Sequence, residues 1–141
     1  MLLFLSLPLV TIFAALGLIH FHWALGGSYG YAVAIPTNAE GQRVLNPGKR
    51  DCVVVGTGLL AFSGYYLLKS GVVTLGLPSG MFAFGGWIIP AIFILRAIGD
   101  FKYVGFFKKV KGTAFAQKDT QLFSPLCMAM GLLGLAIQLW Y

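Results

Sequence analysis

LRAIGDFKYVGFFKKVKGTAFAQKDT, residues 95–120, holds six of the ten basic residues of the chain and two of its four acidic ones. Apolar runs of membrane-crossing length flank it on both sides. A charged connection between two such runs fixes where the chain meets the membrane surface, so the fold is read outward from here.

Of 141 residues, 58% are hydrophobic and only 10% charged, against about 25% charged in an ordinary soluble domain. A small domain has too much surface to leave that bare. The expected class is therefore an all-α membrane protein, one integral domain over residues 1–141. The net charge of +6 lies between apolar runs and not along one soluble face, which points to anionic lipid and away from nucleic acid. Cys52 and Cys127 stand alone, without the spacing of a disulfide framework or a redox pair.

Four spans are expected, at about 2–25, 51–68, 81–98 and 120–140, in an antiparallel bundle. About 20 residues at 1.5 Å each cross a hydrocarbon core of about 30 Å. The first run has no basic lead and no small-residue cleavage site, so it reads as a retained span and not a leader. Asp51 suits the N-cap of the second span. Thr57, Ala61 and Gly64 give that span a small-residue face for close helix contact. Pro90 removes a ladder bond in the third, where a kink either opens a cavity or repacks locally. The fourth starts at Asp119 or Thr120, or else at Ser124; the earlier start leaves a span of adequate length. Cys127, Gly131, Gly134 and Gln138 then share one face.

Four spans put residues 28–50 and 99–119 on the same side. With Arg96 at the end of the third span, nine basic residues gather there, against Lys69 alone on the other. The positive-inside rule makes these two connections cytoplasmic and both termini external. The outer half is expected to be nearly free of ionisable groups. His20, Trp23, Asp51, Arg96, Asp100, Tyr103 and Asp119, distant in sequence, then lie at similar depth at the cytoplasmic interface.

Within the third connection, Tyr103, Phe106, Phe107, Val110 and Ala114 recur at helical spacing. Lys102, Lys108, Lys109 and Lys111 take the other faces. This predicts a basic interfacial helix between spans three and four, with its lysines on anionic headgroups. Arg96 and Asp100, four apart, are expected to pair on one helix face.

Four stretches carry a family resemblance: IHFHWALGG (19–27), AIPT with the later GQR (34–43), RAIGDFKYVGFF (96–107) and KGTAFAQKDTQLFSPLC (111–127). On these the chain resembles a domain-of-unknown-function family of small four-span bacterial membrane proteins. The resemblance implies only a multi-pass membrane location, and supplies no activity, ligand or catalytic residue; with the charge asymmetry above, the bacterial inner membrane is the expected site.

The residues to weigh for function are therefore His20, Trp23, Arg43, Arg96, Asp100, Tyr103 and Asp119, as a ligand-binding cluster. Lys102, Lys108, Lys109 and Lys111 are the headgroup contacts. His20 and His22 are two apart and point nearly opposite ways, so they do not chelate as an i, i+4 pair does. No metal set, cofactor motif or nucleophile motif is present. The leading expectation is a lipid or other amphipathic small molecule under the Pro90 kink, its polar end at Arg96, Asp100 and His20. Two others stand beside it. One is an accessory subunit partnered by another membrane protein or a second copy; the other is a small membrane enzyme using His20 and Asp100 as acid and base. A pore is disfavoured, because the outer half has too few polar groups to hold water.

Overall fold

The computed structural model describes residues 1–141 and is built almost wholly of helix. The long helices are α1 (Leu2–Ala24), α3 (Lys49–Lys69) and α4 (Ser79–Ile98). A short α2 (Tyr31–Ala34) lies in the first connection. The last span is one continuous run: α5 (Ala114–Lys118), a π-helical turn (Asp119–Phe123) and α6 (Ser124–Trp140). Four helical segments are long and apolar enough to cross a membrane, and the protein is a multi-pass membrane protein. The fourth begins earlier than expected because Thr113, and not Asp119, caps it. Thr113 Oγ1 accepts the Ala116 N–H at 3.1 Å, which satisfies one of the free donors of the first turn. Asp51 likewise is not the cap of α3. It sits in the first turn, where its carboxylate accepts the Gly48 N–H at 2.7 Å.

The spans pack as two tight antiparallel pairs. In the first, Gly17 of α1 and Gly56 of α3 meet back to back, and a Cβ on either would lie 3.1 Å from the other's carbonyl oxygen. Further along, Ser63 Oγ donates to Val10 O at 2.8 Å. In the second pair, Pro90 of α4 is buried against Gly131 and Gly134 of α6. A Cβ on Gly134 would lie 2.8 Å from Pro90 Cγ, and one on Gly131 would lie 3.1 Å from Pro90 O. The Pro90 side chain is therefore packed against the small residues of α6, and it lines neither of the two large apolar clefts of the bundle.

A shared core of Leu9, Phe13, Leu59, Tyr66, Ile89, Met130 and Ile137 locks the pairs together. Phe13 stacks on Tyr66 at 5.8 Å and meets Phe93 edge-on at 5.0 Å. Between α3 and α4 the packing is open. Thr57 and Ala61 are exposed and Gly64 faces empty space, so the small-residue face meets no helix within this chain. An apolar cleft of about 490 Å³ separates the two helices there.

The interfacial helix expected over Tyr103–Ala114 does not form; residues 99–113 are bends and turns. Gly99 leaves α4 with φ 87°, and Gly105 has φ 91°. Both lie in the left-handed region that glycine alone enters freely. Phe101 joins them at φ 63°. Asp100 Oδ1 then takes the N–H groups of Lys102, Tyr103 and Val104 at 2.9, 2.7 and 2.9 Å. A side chain that captures three successive amides competes directly with the helical ladder. Apolar periodicity alone could not overcome that.

Candidate functional site

At the basic end, where α1 and α4 finish and α3 and α5 begin, the expected site residues fall into two clusters. The first centres on Asp119, which is fully buried. Arg96 Nη2 donates to its Oδ1 at 2.8 Å. Its Oδ2 accepts from the Gly105 N–H at 2.8 Å and from Lys108 Nζ at 3.0 Å. Lys108 also donates to Gly105 O at 2.9 Å and to Thr120 Oγ1 at 2.6 Å.

Two sequence expectations are corrected here. Arg96 pairs with Asp119 and not with Asp100, because the Gly99 turn carries Asp100 off the helix face and into its own loop. Lys108 is not on the membrane surface, for the ammonium is buried on Asp119. Lys102, Lys109 and Lys111 are exposed beside the exposed rings of Phe101, Phe106 and Phe107. Tyr103 is half-buried, with Lys102 Nζ 5.0 Å above its ring.

Asp100 lies outside the spans. Its partial burial raises the carboxyl, but the N–H bonds from Val104, Lys102 and Tyr103 outweigh this and hold it below the ordinary carboxylate range. It is therefore a clasp for the loop.

The second cluster lies over the end of α1. His20 and Trp23 share a helix face, with ring centroids 4.8 Å apart. Trp23 meets Tyr31 of α2 at 5.6 Å, and the Arg43 guanidinium sits 5.3 Å over the Tyr31 ring. Trp23 Nε1 donates to Tyr29 O at 2.7 Å, and Tyr31 Oη donates to Pro47 O at 3.2 Å. The first connection is thus folded down on α1 by its aromatic residues. His22 points elsewhere and covers Gly27.

Beside this stack a cleft of about 480 Å³ opens between α1, α2 and the last span. Its apolar wall includes Leu16, Ile19, Val33 and Leu126, and His20, Trp23, Tyr29 and Lys118 supply the polar atoms. Lys118 and Leu122 line the cleft, while Asp119, between them in sequence, faces the ion cluster. One turn of the last span thus serves both clusters. Within this turn the ladder is π-helical, a local widening that recurs at functional positions.

The cluster expected in sequence is therefore divided. His20 and Trp23 line the cleft, while Arg43 sits over Tyr31 in the aromatic stack beside it. Arg96 and Asp119 belong to the ion cluster, while Asp100 and Tyr103 belong to the loop it anchors. His20 and Asp100 are bonded into separate structures, so the acid–base pair is not assembled. Lys118 and Tyr29 were missed. The signal for Lys118 was its place four residues before Leu122, a basic group on an apolar helix face.

The opposite end holds a group the sequence left unexplained. Lys69, expected as a lone charge closing α3, is 3% exposed. Its Nζ donates to Gln138 Oε1, and to Tyr65 Oη at 3.2 Å, and lies 4.2 Å over the Tyr141 ring. Tyr65 Oη in turn donates to Phe82 O at 2.7 Å. The end of the bundle away from the basic cluster thus contains a buried cation held by neutral acceptors and aromatic faces. The i, i+4 spacing of Tyr65 and Lys69 was its only trace in the sequence.

Residues 13–134 match the family model described as "Protein of unknown function (DUF3995)". The chain belongs to this family. The match runs from the middle of α1 to the middle of α6, so it takes in both clusters at the basic end and Lys69. No curated protein and no solved structure matches the chain.

Proposed function

We propose that this DUF3995 member holds one amphipathic small molecule in the cleft beside His20, at the cytoplasmic end of the bundle. The observation that carries the reading is the cleft itself. Its volume of about 480 Å³ lies in the usual range for small-molecule sites of about 300–1,000 Å³. Its apolar wall within the span suits a tail, and His20, Trp23 and Lys118 at the interface suit a head. The excess of basic residues at this end supports its cytoplasmic orientation in the inner membrane. Exposed Lys102, Lys109 and Lys111 with Phe101, Phe106 and Phe107 fit anionic headgroups around it. Catalysis by His20 and Asp100 is not proposed, since the Asp100 carboxylate is committed to three amides of its own loop.

Native mass spectrometry from mild detergent tests the reading. One amphiphile should survive detergent exchange in the wild type and be lost from Val33→Phe, which fills the cleft. Ile88→Phe, in the α3–α4 cleft, should retain it. A wild type that carries nothing, or a Val33→Phe variant that carries the same mass, overturns the reading.

A second reading, an accessory subunit, draws on the α3–α4 face. Thr57, Ala61 and Gly64 there present the small-residue surface that transmembrane helices use for close contact. Its occupant would be a helix of another membrane subunit. Cysteine cross-linking from Ala61 to a single distinct chain in native membranes would favour it.

A further inference from the structure

The hydrogen-bonding state of His20 narrows the ligand class, an inference that rests on the cleft reading above. His20 Nδ1 lies 2.7 Å from Leu16 O. A carbonyl oxygen only accepts, so Nδ1 carries the hydrogen, and in the neutral ring the lone pair stands on Nε2. No group of the protein bonds Nε2. The ring is fixed on one side by the Leu16 carbonyl and on the other by Trp23, whose own N–H is spent on Tyr29 O. His20, which lines the cleft, is thus left with an acceptor that no group of the protein bonds. Rotating it away to find a donor would break the bond to Leu16.

The other polar atoms of the lining are few. Lys118 offers an ammonium and Tyr29 a hydroxyl at the mouth, and no carboxylate lines the cleft. A head group that satisfies this set must give one hydrogen bond to Nε2 and accept another from Lys118. A phosphodiester has no hydrogen to give and leaves Nε2 unpaired. A two-tailed phospholipid is also too large for about 480 Å³. A hydroxyl on a flat ring meets both demands, and its ring can lie against Trp23 in the offset or edge-on geometry that aromatic pairs prefer.

We infer that the cleft recognises a single-tailed, ring-headed amphiphile through a hydroxyl that donates to His20 Nε2, the chemistry shared by alkylphenols and quinols.

Trp23 is the only tryptophan in the cleft, so a Trp87→Phe/Trp140→Phe background makes its fluorescence a reporter. The probes are 4-dodecylphenol, its methyl ether 4-dodecylanisole, and dodecanoic acid, each titrated into the detergent-solubilised protein. The phenol should change the signal saturably and bind at least about tenfold more tightly than the ether, as a lost hydrogen bond requires. His20→Gln, which keeps an acceptor, should retain part of the preference, and His20→Phe should abolish it. Equal binding of phenol and ether, both blocked by Val33→Phe, overturns the hydroxyl inference and leaves the cleft reading standing. Tighter binding of dodecanoate likewise overturns the inference, by showing an anion site. No saturable binding of any probe, in wild type and Val33→Phe alike, overturns both. If His20→Phe does not fold, the wild-type ratio of phenol to ether still decides.

Discussion

Lys108 Nζ lies 3.0 Å from Asp119 Oδ2, with only 1% of the lysine side chain and none of the aspartate side chain exposed. The lysine comes from an irregular loop and the aspartate from the last span, so this pair ties the loop to the bundle. With Arg96 on the other carboxylate oxygen, three segments converge on one group. Such a cluster contributes little over an apolar replacement, but removing one member leaves a buried charge uncompensated.

Asp119→Asn should therefore destabilise the protein by about 3–5 kcal/mol, read as a fall in Tm of roughly ten degrees in detergent. Lys108→Met should cost less than Asp119→Asn, because Arg96 and the Gly105 N–H still serve the carboxylate. The double variant should be clearly less destabilised than the sum of the two singles. Strict additivity would mean that the pair is not coupled.

The glycine crossing that shapes the loop makes a separate prediction. A Cβ on Gly99 would collide with Val104 O, and one on Gly105 would collide with Ile98 O. Both contacts are with backbone, which cannot swing aside. Gly99→Ala or Gly105→Ala should open residues 99–108, and limited proteolysis should then cut near the lysines. Gly112→Ala, with open space around it, should leave the cleavage pattern unchanged.

These two sites show where sequence reading stopped. Span length and hydropathy picked out the four helices long and apolar enough to cross a membrane, and Gly131 and Gly134, placed on one face of the last, pack against Pro90. The loop failed because Tyr103, Phe106, Phe107 and Val110 have helical spacing while Gly99, Gly105 and Asp100 impose turns. Periodicity counts apolar positions and is blind to a carboxylate that collects three amides. The partner of Arg96 failed for a related reason: i, i+4 spacing predicts a pair only if the helix continues, and it ends at Ile98. Lys69 was misread because a lone lysine at a span end ordinarily reaches for water. Nothing local announces that Gln138 and Tyr141 will close over it.

The Asp100 clasp carries a pH dependence of known sign. Its folded carboxyl is held below the ordinary value by the N–H bonds from Val104, Lys102 and Tyr103. A group depressed on folding contributes stability that is present above its unfolded pKa and lost as pH falls through the folded one. The loop should therefore keep its protease resistance through neutral and mildly acidic pH and loosen only below the ordinary carboxylate range. Asp100→Asn should flatten that acid limb and loosen the loop at every pH. A carboxyl carbon titration of Asp100 showing an ordinary or raised midpoint would refute the clasp.

The Lys69 cage makes the last prediction. Its ammonium is 3% exposed and has no carboxylate beside it; Gln138 Oε1, Tyr65 Oη and the Tyr141 ring hold it. A buried charge with only neutral partners bears a desolvation cost that those partners offset in part. Replacing the whole polar pair with apolar groups of like size should then be neutral or stabilising. Lys69→Met/Gln138→Leu should fold with a Tm equal to or above that of the wild type. Gln138→Leu alone, which strips the ammonium of its side-chain amide, should lower it by several degrees. Gly86 gives a control on geometry, because a Cβ there would lie 2.8 Å from Lys69 Nζ and collide with the Gln138 amide. Gly86→Ala should disturb the wild-type cage and be better tolerated once leucine replaces the amide. If the double variant is instead the least stable of the set, the ammonium is a net stabiliser of the bundle and the cage holds it for strength.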